Sequence, residues 1–95
     1  MAKNHERAAH LIAKKLGGDY NSKRSPDVRS REKRVEVKSY AAEIPKAMKQ
    51  LGGGQKKKYV ALPQREQAKA KEKLRGSGIG LMNHKGQITK RARRS

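Results

Sequence analysis

A chain of 95 residues with 33% hydrophobic residues and neither Phe nor Trp has material for one domain with a thin, aliphatic core. Its 26 Lys and Arg against 8 Asp and Glu leave a net charge of +18, which favours a polyanionic partner, nucleic acid before an anionic membrane surface. The absence of cysteine excludes disulfides and thiolate metal sites, and no run approaches the roughly 20 apolar residues of a membrane-spanning helix.

In chain order, Asn4 is expected to cap a first helix, with His5, Ala8, Ala9, Ile12 and Leu16 along one side. Glu6 borders that stripe and has two readings. It leans over the sheet toward other carboxylates, or it sits in the first turn and favours the helix dipole. Lys14 and Lys15 suit the other end, and Gly17 with Gly18 terminates the helix. Residues 19–24 are polar, a loop or frayed strand, and Pro26 fits the first residue of a strand. Residues 29–34 are strongly charged and read as an exposed hairpin tip able to track phosphates. Residues 35–39 read as a strand. A helix follows with Ile44, Ala47, Met48 and Leu51 as its core stripe and Pro45 tolerated in its first turn. The glycines at 52–54 stop it. Residues 59–62 form a short buried strand closed by Pro63, and the intervening helix implies parallel pairing with the strand before it. Residues 64–74 read as a surface helix, with Ala68, Ala70 and Leu74 as its apolar positions and Lys69, Lys71, Lys73 and Arg75 adding to the basic field. A last strand spans 79–82, and Lys85 with Gly86 makes a turn. The glycines at 78 and 80 follow a helix and complete no dinucleotide fingerprint. The expected domain is 1–88, and 89–95 is a basic tail, disordered until it meets phosphate. No secretory signal with an apolar core opens the chain, so an intracellular setting is expected, in cytoplasm, nucleoid or a virus-infected cell. His5, His10 and His84 lack the spacing of zinc ligands.

Three side chains carry the chemical signal. In a strand over 35–39, Val35 and Val37 point to one face, and Glu36 and Lys38 to the other. If Asp27 opens a strand that turns around Arg31 and Glu32, a two- or four-residue loop sets Asp27 directly opposite Glu36. Opposed residues have Cβ atoms roughly 4.5–5.5 Å apart. Two carboxylates that close repel unless a cation lies between them, and their oxygens suit Mg²⁺ or Mn²⁺. Two carboxylates, a hard metal and a neighbouring ammonium group are what phosphodiester hydrolysis requires. The metal activates water and neutralises phosphate charge, and the lysine stabilises developing negative charge.

Pro26 and Asp27, then eight residues, then Glu36, Val37 and Lys38 resemble the signature of the PD-(D/E)XK nuclease superfamily. With Glu6 and Arg7 on the opening helix and the Gly pair after it, the chain is most similar to the archaeal-type Holliday junction resolvases. The resemblance covers nearly the whole chain. It implies an α/β, restriction-endonuclease-like core in α-β-β-β-α-β order, a central mixed β-sheet flanked by helices. It implies Asp27 and Glu36 as metal ligands assisted by the Val37 backbone carbonyl, Lys38 as the catalytic lysine, and Glu6 joining the site. Resolvases also tend to carry a serine before the motif. Ser22 and Ser25 are the candidates here, although the glycine-rich setting of that loop is missing. Gln50 falls where some members place a site-facing polar residue. The family pattern further implies a homodimer.

The expected substrate is therefore DNA, duplex or branched, cut with Mg²⁺ or Mn²⁺. Arg7, Lys23, Arg24, Arg29, Arg31, Lys56, Lys57, Arg91, Arg93 and Arg94 are expected to contact it. The competing expectation is a non-catalytic basic nucleic-acid-binding protein in which Glu36 is only an exposed salt-bridge partner of Lys38 or of a neighbour. An inactive relative that keeps the fold is a third. With only Tyr20, Tyr40 and Tyr59 available, base stacking is expected to be a minor route, and substrate choice to follow DNA shape.

Overall fold

In the computed structural model, residues 2–20, 28–30, 32–51 and 56–92 are described. Helix α1 spans Ala2–Leu16. It starts earlier than expected: Asn4 lies inside its first turn instead of capping it, and Glu6 falls beyond that turn, where the dipole contribution has faded. Ala8, Ala9, Ile12 and Ala13 are its buried stripe, with Leu16 packed at the edge. Gly17 ends the helix at φ 67°, and the Gly18 amide donates to the Ala13 carbonyl at 2.9 Å. Gly18 has a different duty. A Cβ there would collide with the Arg29 backbone carbonyl.

The chain then builds a six-stranded sheet in sequential order. Strands β1 (Asp19–Tyr20), β2 (Val28–Arg29) and β3 (Lys33–Val37) are antiparallel, with Val28 opposite Val35 and Arg29 opposite Arg34. Ser30 closes the β2–β3 turn: its amide donates to the Lys33 carbonyl at 2.8 Å, and its hydroxyl accepts from the Lys33 amide at 3.0 Å. A 3₁₀ turn, Ala41–Glu43, runs into α2 (Ile44–Leu51), which returns the chain to β4 (Lys57–Ala61), parallel to β3. A second 3₁₀ turn, Gln64–Glu66, leads into α3 (Gln67–Leu74) and β5 (Gly80–Met82), parallel to β4. β6 (Ile88–Lys90) closes the sheet antiparallel to β5. Thr89 and Lys90 therefore belong to a strand, although the expected tail begins at 89.

Strand alternation sorts the core into two layers. Val28, Val35, Val37, Tyr59, Ala61 and Met82 pack with α1. Val60, Leu62, Ile79 and Leu81 pack with Ile44, Ala47 and Leu51 of α2 and with Ala70 and Leu74 of α3. Burying both faces of the β4 and β5 strands explains their unbroken apolar runs. Two expected core positions differ. α3 starts at Gln67, so its inward stripe is Gln67, Ala70 and Leu74, and Ala68 turns outward. α2 buries the narrow seam Ile44, Ala47 and Leu51, which leaves Met48 exposed. Among the described residues no helix is long and apolar enough to cross a membrane.

Candidate functional site

β3 is the one central strand whose two faces differ in kind. Val35 and Val37 enter the α1 layer as expected. Arg34, Glu36 and Lys38 take the opposite face, where Glu36 is aligned with Val60 of β4. Glu36 is only 2% exposed, and the Lys38 Nζ lies 3.3 Å from its Oε2 with the lysine side chain 11% exposed. This is a buried ion pair, not the exposed pair of the competing expectation. Taking two charges out of water costs several kcal/mol per ion before their attraction offsets it. A buried pair therefore has little to recommend it as a stabilising device.

The backbone beyond β3 is held from both sides. The Lys38 amide donates to the Ala61 carbonyl at 2.9 Å, extending the parallel ladder. The Lys38 carbonyl lies 2.8 Å from His84 Nε2. A carbonyl only accepts, so His84 carries its proton on Nε2. Three residues on, the Ala41 amide donates to the Glu66 carboxylate at 2.8 Å. Segment 38–41 is thus pinned to the β5–β6 turn at one end and to the 3₁₀ turn before α3 at the other. Between the pins stands Tyr40, 56% exposed, with the Arg65 guanidinium 5.7 Å from its ring centroid. A recess of about 330 Å³, lined by Pro63, Gln64, Asn83, His84, Lys85 and Gln87, meets this segment through His84. Asn83 Oδ1 accepts from the Lys85 and Gln87 amides and shapes that turn.

The β2–β3 register is the one that the expected pairing of residues 27 and 36 requires, since Val28 stands opposite Val35. Asp27 itself lies outside the described residues, as do Ser22, Lys23, Arg24, Ser25, Arg31, Arg93 and Arg94. Glu6 sits in α1, and its side chain is likewise outside them. Its helix packs on the Val28, Val35 and Val37 face, so the sheet stands between α1 and the side on which Glu36 lies. The described members of the expected DNA-contacting set do not share one face. Arg29 is exposed opposite Arg34, on the Glu36 side of the hairpin. Lys57 aligns with Lys33, on the α1 side, and the Lys56 Nζ donates to the Ser30 carbonyl at 3.1 Å. Arg7 and Arg91 are exposed near the two ends of the described chain.

Sequence reasoning passed over three participants. Arg34 precedes Glu36 by two residues on the same face, and the period-two pattern was enough to find it. His84 and Glu66 reach segment 38–41 from 46 and 25 residues away, and no local pattern signals such contacts. Gln50, on the helix that covers the Glu36 face, has its Oε1 buried without a hydrogen-bond partner. Away from this edge, burial lifts the Tyr59 phenol above its ordinary range, against a smaller opposing effect of a hydrogen bond to the Ala92 backbone.

As a seat for a hard divalent cation, the donors fit in kind. The Glu36 carboxylate and the Val37 carbonyl are oxygen ligands, and the parallel ladder formed by Glu36 and Lys38 leaves the Val37 backbone groups on the β2 side. Among the described residues no group of three or more His, Asp or Glu side chains is placed to hold a metal ion. No family model, curated protein or solved structure matches the chain.

Proposed function

We propose that this protein is a metal-dependent DNA endonuclease of the restriction-endonuclease-like, PD-(D/E)XK kind, hydrolysing phosphodiester bonds in duplex or branched DNA, four-way junctions included. The observation that carries this reading is the buried Glu36–Lys38 pair, a costly charge placement at the carboxyl end of a central strand. The α-β-β-β-α-β element order and the β2–β3 register support it.

The division of labour follows from the chain's own groups. Glu36 and the Val37 carbonyl, joined by Asp27, would be the oxygen-ligand set. A Mg²⁺ or Mn²⁺ ion bound there supplies Lewis acidity and an activated water. Lys38 gives its ammonium to the phosphate oxygen on which negative charge develops, in a site where low dielectric strengthens the interaction. The ladder bond to Ala61 and the His84 tether fix the Lys38 backbone, so the ammonium swings only on its own stem. The +18 net charge holds the polyanion.

The test is nicking of supercoiled plasmid and of labelled junctions with Mg²⁺ or Mn²⁺ against EDTA. Metal-dependent product that disappears in both Asp27→Asn and Glu36→Gln supports the assignment; retained cleavage in both variants defeats it. One observation favours the second reading, a non-catalytic basic nucleic-acid-binding protein: Lys38 neutralises Glu36 without any metal. No metal-dependent product on any DNA form selects that reading.

A further inference from the structure

We propose that the edge of the sheet beside Lys38 carries a docking site for one unpaired nucleotide base, with Tyr40 as its stacking platform. As to where the site stands relative to the cut bond, this rests on the nuclease reading; as a binding site it stands alone. Three tyrosines are present, and the structure gives them different work. Tyr59 is buried over Gly80 in the core. Tyr20 is half-buried, its ring edge-on to His10 with centroids 4.7 Å apart. Tyr40 alone is turned to solvent, 56% exposed.

An exposed aromatic ring on a free loop would carry little meaning, but this loop is not free. Its backbone is pinned two residues before the ring, at the Lys38 carbonyl, and one residue after it, at the Ala41 amide. A tyrosine on fixed backbone has two side-chain torsions left, so little entropy is lost when a partner lies on it. The Arg65 guanidinium lies over one face of the ring at 5.7 Å, so the base takes the other face and the cation is at hand for the phosphate of the same nucleotide. The neighbouring recess of about 330 Å³ is lined by amide, imidazole and ammonium groups from Gln64, Asn83, His84, Lys85 and Gln87. That lining offers donors and acceptors to a base edge or a sugar-phosphate, and Pro63 is its one apolar side chain. A base inside a duplex is covered on both faces and cannot lie on Tyr40. An unstacked base can, whatever its identity. The ligand class is therefore single-stranded DNA: a flap, an end or an opened branch point adjoining a duplex.

The experiment measures binding in EDTA at one fixed salt concentration, with a labelled single strand and the duplex of the same sequence. Tyr40→Ala is expected to lower the single-strand to duplex affinity ratio about tenfold, and Tyr40→Phe to restore it. In the wild-type protein, a single strand carrying abasic sites is expected to lose about the same factor. An unchanged ratio in Tyr40→Ala, an equal loss on both DNA forms, or full affinity for the abasic strand overturns the site. Because no cleavage is measured, the two proposals fail separately. A Tyr40-dependent ratio without metal-dependent nicking removes the nuclease reading and leaves the docking site; nicking without the ratio does the reverse.

Discussion

Two polar side chains are buried among the described residues, and their surroundings differ completely. Gln67, at the start of α3, spends every polar atom on the fold. Its Nε2 donates to the Leu62 carbonyl at 2.8 Å and to the Met82 carbonyl at 3.1 Å, and its Oε1 accepts from the Thr89 hydroxyl at 2.6 Å. It ties the ends of β4 and β5 to β6, and its burial has a complete structural explanation. Glu36 is buried deeper, carries a charge, and is met by the ammonium of Lys38. A valine fills the aligned place in β4, under the same helical layer, as an ordinary core residue. A buried amide that joins three strands is architecture. In the proposed function the buried carboxylate beside that valine serves chemistry instead.

Substitutions can break this contrast. The largest expected effect is on cleavage. Glu36→Gln keeps the shape of the side chain and removes the charge, and metal-dependent nicking should fall by at least about a hundredfold, read in single-turnover assays. A residual rate near wild type would return Glu36 to the same class as Gln67. Next is the apolar reference beside both. Leu62→Ala, fully buried at the end of β4, should cost about 3 kcal/mol in urea melts with cleavage per folded molecule unchanged. Gln67→Met follows, at about 2 kcal/mol, because it leaves the Leu62 carbonyl without its donor while spanning a similar volume. A rate effect of Gln67→Met beyond its loss of folded protein would mean that the corner feeds into the site.

The fold was more legible than the site. The strands at β3 and β4, the helix between them and their parallel pairing follow from apolar runs, Pro63 and the glycines, because those signals act over a few residues. The start of α3 was misjudged by local reading. A 3₁₀ turn precedes it, the register moves by one residue, and Gln67 replaces Ala68 on the inward face. Within the site, the pairing of Glu36 with Lys38 was readable from strand alternation alone. Its depth was not, since burial of Glu36 depends on α2 lying over that face. The His84 and Glu66 tethers were out of reach for a similar reason. Each joins residues far apart in sequence, and a side-chain to backbone bond leaves no periodic trace. The described members of the expected DNA-contacting set fall on both sides of the sheet, Lys57 aligned with Lys33 on the α1 side and Arg29 with Arg34 on the Glu36 side. Lys57 and Arg29 are therefore separated by the sheet.

The smallest expected effect is the most discriminating. Removing one partner of a buried ion pair takes away the attraction and leaves the other charge's desolvation cost, so Lys38→Met alone should destabilise the protein by about 3 kcal/mol. That result would not separate structure from function, because a structural pair and a catalytic pair both respond this way. Replacing both partners does separate them. Glu36→Met with Lys38→Met removes two desolvation costs along with one attraction and fills the same volume with apolar atoms. The double variant should unfold within about 1 kcal/mol of wild type, or above it, while metal-dependent cleavage is lost. An urea midpoint that stays as low as in the Lys38→Met single variant would show that the layer under α2 needs this pair to pack. Glu36 would then stand beside Gln67 as architecture. Recovery of stability without recovery of activity would mean that the fold tolerates the pair without depending on it.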